Sequence, residues 1–211
     1  MENQKNPVLC IIQSKRDENW NREKPYQEQE GIEEHLQYMA KLHEEGIMIY
    51  SGPFLDNTGL FSILISKEDK ENLQKLIDKD PAVKTRLVKS SVRHILTPFP
   101  IKAELRVNVE GKPVIMHLVT YSPGEKWVEG LSIEEQAFFL EHVHYCNSLY
   151  KLDKILLGGP FAETHGEQFV FYTQQQAEVN SIVENDPAVR NQILSYEIKP
   201  WVSLFQMEYD S

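Results

Sequence analysis

Ser51-Gly52-Pro53-Phe54 returns later in the chain as Gly158-Gly159-Pro160-Phe161, and the spacing between the two decides the fold. Gly59 and Gly166 follow them at the same offset of 107 residues (159 − 52). Upstream, Trp20 is answered by Trp127, His35 by His142 and Tyr38 by Tyr145, each again at 107. Asp80-Pro81-Ala82-Val83 is answered by Asp186-Pro187-Ala188-Val189 at 106 (186 − 80), and Pro7-Val8-Leu9-Cys10 by Pro113-Val114-Ile115-Met116, also at 106. One-residue insertions in loops account for the change of register. The chain is an internal duplication over nearly its whole length, with repeats at 1–99 and 113–211 and a connector at 100–112.

Within a repeat the pattern predicts elements in a definite order. Val8 to Ile12 is a short apolar, partly β-branched run, read as a buried strand, and the polar stretch Gln13 to Gln29, with Pro25, reads as a loop. Ile32, His35, Leu36, Met39 and Leu42 then fall on one face of a 3.6-residue period, predicting a helix over about Glu28–Glu45 that Gly46 ends. Ile47 to Tyr50 is a strand leading into a turn at Ser51–Phe54, and Leu60 to Ile65 is another strand. Ser66 with Asp69 resembles a capping box for a helix over Lys67–Asp78. Asp80-Pro81 places Asp at an N-cap and Pro at the first helical position. Leu87 to Leu96 closes the half before Pro98 and Pro100. In the connector, Leu105 to Val109 alternates as a strand and Gly111-Lys112-Pro113 marks a turn. In the second repeat, Ser132 with Glu135 forms a capping box for the helix that carries His142, and Thr173 with Gln176 one for the helix after it.

The order β-α-β-β-α-β is that of the split βαβ unit, so the expected class is α+β, with two tandem ferredoxin-like (βαββαβ) repeats. A four-stranded sheet with both helices on one face leaves its other face bare, and a second copy is a natural cover.

Composition sets outer limits. The 211 residues are 41% apolar and 26% charged, ordinary for a soluble globule. A formal net charge of −10 without any Lys/Arg run argues against nucleic acid and against anionic lipid. Met1 to Asn6 is polar, and no apolar stretch has the length of a membrane span. Cys10 lies in a strand-like run and Cys146 on a helical apolar stripe, so both read as buried free thiols of a reducing compartment. The expected location is the cytoplasm.

His-x-x-Tyr on a helix, then Gly-Pro-Phe, then Asp-Pro-Ala, in that order and twice over, resembles the YCII-related (YciI-like) domain. Gly159-Pro160-Phe161-Ala162-Glu163-Thr164 is similar to the DGPF signature of a branch of that family, with Gly158 where the signature has Asp. The resemblance covers roughly residues 7–98 and 113–205. It implies a ferredoxin-like fold that pairs as a dimeric α+β barrel, here as an intramolecular pseudo-dimer. It also implies a His–Asp pair in a pocket, which on this chain is His35 with Asp80 and His142 with Asp186. A few relatives carry out cofactor-independent chemistry on small molecules, such as dehydrochlorination.

The residue types suit that implication. An imidazole with an unperturbed pKa of about 6.5 exchanges protons near neutrality, and a carboxylate on Nδ1–H fixes its tautomer and raises its basicity. His35 and His142 stand on apolar helix stripes, where a core histidine bonded to a backbone carbonyl is the competing reading. Asp80 and Asp186 are explained equally well as helix caps, a role compatible with holding a histidine. Ser51, Gly52, Pro53 and Phe54, with Gly158, Gly159, Pro160 and Phe161, read first as turn chemistry and second as backbone that approaches a ligand closely. Trp20 and Trp127 are candidate pocket walls. His142-x-His144 puts its rings on opposite sides of a helix and is not a metal motif. His94, His117 and His165 have no counterpart in the other half. No nucleophile is evident, so the expected activity is lyase- or isomerase-type proton transfer on a small organic molecule, without cofactor or metal. The alternative is a non-catalytic module that binds a small ligand or a protein. Its oligomeric state is expected to be a monomeric pseudo-dimer or a homodimer.

Overall fold

The structure, a computed structural model, describes residues 8–66, 70–100, 102, 108–109 and 112–205. The first repeat runs β1 (Val8–Arg16), α1 (Ile32–Glu44), β2 (Met48–Pro53), β3 (Gly59–Ser66), α2 (Lys70–Ile77), α3 (Pro81–Lys84) and β4 (Val88–Ile95). Two short strands, β5 (Asn108–Val109) and β6 (Lys112–Pro113), pair antiparallel in the connector. The second repeat runs β7 (Ile115–Pro123), α4 (Phe139–Lys151), β8 (Ile155–Pro160), β9 (Glu167–Phe171), α5 (Gln176–Glu184), α6 (Pro187–Arg190) and β10 (Leu194–Val202). The two four-stranded sheets have the orders β2-β3-β1-β4 and β8-β9-β7-β10. Each central hairpin and crossover pairs antiparallel. This is the same ferredoxin-like α+β topology twice.

The apolar stripe of α1 does what its spacing predicts: Ile32, His35, Met39 and Leu42 are buried and Glu33 and Glu34 face water. Met39 and Leu42 pack with Cys10, Ile12, Met48, Leu64, Leu73, Ile77 and Val92. A fully buried side chain of this size contributes about 1.5–3 kcal/mol, enough to anchor a helix whose intrinsic propensity is marginal. Gly46 ends the helix in the left-handed conformation, with φ 71°. In the second repeat Cys146, Leu149, Val179 and Val183 pack in the same way on Val119, Ile155, Phe169 and Phe171. Both cysteines are buried and free.

Several expectations are corrected. β1 does not stop at Ile12 but runs through Gln13 to Arg16, because β3 supplies partners as far as Lys15↔Gly59. Residues 26–28, expected in loop and helix, form a separate 3-10 turn before α1 starts at Ile32. Ser132 and Glu135 do form a capping box, but it closes the 3-10 turn Ile133–Glu135, and α4 begins four residues later behind Phe138. Thr173 does not cap α5, whose N-cap is Gln175; its hydroxyl is buried without a hydrogen-bond partner among the described residues. The Ser66–Asp69 box and Gly111 lie outside the described residues or side chains.

The largest correction concerns the repeated motif itself. Ser51, Gly52 and Pro53 are not a turn but the end of β2, paired with Ser62, Phe61 and Leu60 of β3. Gly158, Gly159 and Pro160 end β8, paired with Phe169, Gln168 and Glu167 of β9. β2 and β8 are the outer strands of their sheets, a position where proline costs no ladder bond. Each edge then receives a further segment. The Leu204 N–H donates to the Ser51 carbonyl (2.8 Å) and Trp201 bridges Phe54. The Leu96 N–H donates to the Pro160 carbonyl (2.9 Å) and Ile95 bridges Phe161. A Cβ on Gly52 would collide with the Val202 carbonyl, and one on Gly159 with that of Leu96. The close backbone approach expected of a ligand is made by a strand.

By contacts the chain divides into two compact units, Met1–His94 with Arg106–Val114 and Trp201–Ser211, and Ile95–Leu105 with Ile115–Pro200. Each unit therefore includes a short segment that begins at the end of the last strand of the other repeat, and that segment covers its open edge. Among the described residues no helix is long and apolar enough to cross a membrane.

Candidate active site

In each repeat the helix after the first strand carries the histidine, and a short helix opened by Asp-Pro carries the carboxylate. The geometry starts from the cap. Asp80 Oδ1 accepts from the Ala82 N–H (2.9 Å) and Asp186 Oδ1 from the Ala188 N–H (2.9 Å), which fixes both side chains at the starts of α3 and α6. The helix stripe then aims a ring at the capped carboxylate. His35 Nδ1 lies 2.9 Å from Asp80 Oδ2 and 3.0 Å from Oδ1. His142 Nδ1 lies 2.7 Å from Asp186 Oδ2. All four side chains are buried. The capping role and the histidine contact coexist on one carboxylate.

Tyr38 and Tyr145 do not enter either pair. Their hydroxyls donate to the Leu76 and Ile182 carbonyls, at 2.8 and 2.9 Å, and so tie the histidine helix to its neighbour. Burial, with the charge of Asp80, pushes the Tyr38 hydroxyl up to about 12.

Beyond the pairs, the repeats part. In the second, Glu167 of β9 brings Oε1 to 3.0 Å from His142 Nε2, with both side chains buried. Oε1 receives no hydrogen bond among the described residues, so the contact is an ionic approach rather than an aligned bond. Cys146, one turn along α4, sets Sγ 3.6 Å from Nε2. Tyr121 meets the ring edge-on, centroids 5.6 Å apart. Burial by itself disfavours the imidazolium, but the bonds to Asp186 and Cys146 and the nearby Glu167 carboxylate together outweigh it and raise the His142 pKa well above 6.5. Burial likewise pushes the Cys146 thiol up, which makes it a neutral packing group rather than a nucleophile. In the first repeat, Leu60 stands where Glu167 does and Met39 where Cys146 does, each at an offset of 107 (167 − 60, 146 − 39).

The surroundings differ as well. His142 and Glu167 lie beneath a narrow recess of about 10 Å³, room for about one water. Its walls include Trp127, Gln136, Ile133 and Phe139, with Ile133 and Phe139 only half-buried. The equivalent positions of the first repeat pack into a cluster of Trp20, Tyr26, Ile32, Leu60, Ala82, Leu87 and Val88, all buried. Trp20 stacks on Tyr26 with centroids 6.5 Å apart. Trp127 lines this recess and, like Trp20, is part of a buried core cluster. Both indole N–H groups are buried without a partner among the described residues.

The other candidates lie elsewhere. Gly158, Gly159, Pro160 and Phe161 do not line the recess. Ser51 shares a hydrogen bond with Ser62 (2.7 Å), and the Trp201 indole donates to the Gly52 carbonyl (3.1 Å). Pro53 and Phe54 complete the covered edge. His117 Nδ1 contacts the Thr173 carbonyl (2.8 Å).

The donors around His142 do not suit a metal. Ligand atoms of His142, Cys146 and Asp186 lie within 4.8 Å of one another. Both ring nitrogens already face carboxylates, and Asp186 spends one oxygen on Ala188 and the other on His142. The cluster is a hydrogen-bonded ion pair, not an open ligand set.

Reading the sequence missed Glu167 altogether. The signal was available: a carboxylate between Gly166 and an apolar strand, facing a leucine when the repeats are aligned position by position. It also missed Gln29 and Gln136, again 107 apart. The Gln29 amide donates to the Asn21 and Lys24 carbonyls and accepts from the Asn21 N–H, and Gln136 does the same work on Val128 and Leu131. These two side chains hold the loop that places each tryptophan.

Residues 7–95 match the YCII-related domain. That match spans the first repeat, including His35 and Asp80. No curated protein matches the chain. Solved structures match nearly all of it at low identity. A candidate monooxygenase from Lactobacillus acidophilus NCFM is 13% identical with a TM-score of 0.52, covering 97% of each chain. A heme-binding protein from Thermus thermophilus is 10% identical with a TM-score of 0.54, covering 94% of this chain and 92% of its own. A chlorite dismutase variant from Candidatus Nitrospira defluvii, in complex with cyanide, is 15% identical with a TM-score of 0.54, covering 93% and 90%. At such identities the likeness is one of fold, and the fold hosts many chemistries.

Proposed function

We propose that the protein is a small-molecule enzyme whose chemistry is proton transfer (isomerisation or elimination), carried by the His142–Asp186 pair of the second repeat. The observation that carries this reading is a buried carboxylate–imidazole–carboxylate row, Asp186–His142–Glu167, at the floor of a recess that opens between half-buried residues. An imidazole held between carboxylates is an arrangement suited to acid–base chemistry. The His35–Asp80 pair, closed under the Trp20–Tyr26 cluster, is assigned to structure, and the second repeat is taken as a further copy of the YCII-related domain.

The heme of the Thermus thermophilus neighbour is not carried over. His142 offers no free ring nitrogen to an iron, and a recess with room for about one water does not admit a macrocycle. No step here is routed through it. A cytoplasmic location fits two buried free thiols. A monomeric pseudo-dimer fits a chain in which each repeat already receives its edge segment from within the same polypeptide; sedimentation of the intact protein tests it, and an obligate dimer contradicts it.

The functional test is a screen of the purified chain against small hydroxy-aromatics, lactones and keto acids for turnover. With an activity in hand, His142→Ala is expected to lose about 10²–10⁴-fold, the usual worth of general acid–base catalysis. A loss of only a few-fold sinks the reading and leaves the rival, a ligand-binding module with no chemistry of its own, in its place. The packed state of the first repeat is the observation that keeps that rival standing.

A further inference from the structure

We propose that the two segments covering the sheet edges are a recognition code. The outer edge of β2 fits Trp201–Phe205 and not its counterpart Ile95–Phe99, so a first repeat takes a second repeat as its partner and the chain closes on itself. The inference does not depend on the chemistry assigned to His142. It rests on the single-chain pairing proposed above and supplies a cause for it.

The two segments are copies of one device. Ile95-Leu96-Thr97-Pro98-Phe99 and Trp201-Val202-Ser203-Leu204-Phe205 correspond at an offset of 106 (201 − 95). In each, the hydroxyl of the third residue donates to the carbonyl two residues on, Thr97 to Phe99 at 2.8 Å and Ser203 to Phe205 at 2.6 Å. The first residue bridges the phenylalanine that ends the repeated motif, Ile95 with Phe161 and Trp201 with Phe54. The last ring rests on a ring of the histidine-bearing helix: Phe99 stacks on Tyr150 (4.6 Å) and Phe205 tilts against His43 (5.6 Å).

What each edge reads is different. At β2 the Leu204 N–H donates to the Ser51 carbonyl (2.8 Å), and the Ser51 N–H donates to Ser203 Oγ (3.0 Å). The Trp201 indole donates to the Gly52 carbonyl (3.1 Å), and its ring meets Phe61 edge-on, centroids 5.2 Å apart. Trp201 and Ser203 are buried. Main-chain bonds of this kind give a strand its hold on an edge, and the side chains between them give selectivity.

Neither edge suits the other segment. Ile95–Phe99 laid on β2 puts Pro98, which has no N–H, opposite the Ser51 carbonyl. It also puts Ile95, which has no side-chain donor, where the indole meets the Gly52 carbonyl, and it forfeits the ring contact with Phe61. Trp201–Phe205 laid on β8 puts an indole where the smaller Ile95 is already buried, and Gln168 stands at the place of Phe61 (168 − 61 = 107). Mispairing is opposed by lost hydrogen bonds at one edge and by overpacking at the other.

The test begins with one atom group in the intact chain. Leu204 is 48% exposed, and Thr97-Pro98 shows that the segment's backbone accepts proline after its hydroxyl residue, so Leu204→Pro removes little besides the N–H. Hydrogen exchange of the Ser51 amide, measured against the amides of β9, is expected to quicken on the order of tenfold or more in Leu204→Pro, the worth of a lost buried hydrogen bond. In Leu204→Ala it should stay within a few-fold of wild type. Unchanged exchange in Leu204→Pro overturns the proposal. If Leu204→Pro does not fold, Trp201→Ile takes its place, with the same expectation and the same overturning result.

Pairing is then read directly. A protease site is inserted in the connector, the folded chain is cut there, and the cut protein is unfolded in urea, refolded and weighed by native mass spectrometry. The cut halves are expected to stay together, and to refold as pairs of one first repeat with one second repeat. Pairs of two first or two second repeats in comparable amount overturn the code, and leave the single-chain pairing of the uncut protein in place. Halves that part on cutting overturn both. If the cut halves do not refold, the Ser51 exchange decides alone.

Discussion

The two repeats hold the same pair of side chains in different surroundings. His35 has one carboxylate, Asp80, and an apolar lid of Trp20, Tyr26 and Leu60. His142 has two, Asp186 and Glu167, with a thiol beside it and a recess above it. The backbone frame, the Asp-Pro caps and the helix stripes are common to both. Position 60/167 adds a second carboxylate beside the ring in the second repeat, where the first has a leucine.

The sharpest way to break this comparison is to remove the two aspartates in turn. Asp186→Ala leaves a buried cation short of its closest partner and uncaps α6, and should cost about 3–5 kcal/mol. Asp80→Ala should cost less, about 1–3 kcal/mol for a buried hydrogen bond together with the cap. Urea unfolding of both variants decides it, and equal losses would make the two sites energetically alike.

The next effect is a pH dependence. His142 has a folded pKa raised above its unfolded value of about 6.5, so its contribution is fully present below pH 6.5 and is lost as pH rises toward the folded value. In that window the folded state binds one more proton than the unfolded one, and stability should fall by about 1.4 kcal/mol per pH unit from this group. Unfolding of wild type at pH 6.5, 7.5 and 8.5 measures the slope. Glu167→Gln, which removes one of the two carboxylates, should make it shallower. A flat wild-type profile would argue that His142 is neutral in the folded protein.

The smallest expected effects sharpen the comparison at the starts of α1 and α4. Phe138→Gly should relieve a left-handed backbone penalty and raise stability by about 1 kcal/mol, and Gly31→Ala should lower it by a similar amount. Around Gly31 an added Cβ meets only Thr85 Oγ1 at 3.9 Å, so that loss reports backbone strain alone. If Phe138→Gly destabilises instead, the phenylalanine is held by packing.

Much of the frame was legible before any coordinates. The 107-residue echo carries the duplication, the 3.6-residue stripe places His35 and His142 on buried faces, and Asp-Pro marks a cap whose bond to the residue two ahead is local. Such features are read from a few neighbouring residues. Gly-Pro-Phe was misread as a turn for the opposite reason. Glycine and proline punctuate loops in most contexts, and only long-range pairing with β3 and β9, and with segments some 150 and 65 residues away in sequence, makes them an edge strand. Ser132 and Thr173 failed similarly: a capping box signals a helical start of some kind, and it does not say which turn continues.

What the sequence by itself determined is the duplication, the βαββαβ order and the residue types at the His–Asp positions, because periodicity, capping and repetition are properties of the chain read along its length. What only the tertiary structure decided is which repeat carries a charge row. Glu167 is remote from both His142 and Asp186 along the chain, and its distance from His142 Nε2 exists only once β9 is laid beside β7 beneath α4. A carboxylate on a strand is, by itself, a surface residue or an error; buried against an imidazole, it is a partner. That difference is made by desolvation and proximity, which no single stretch of sequence contains.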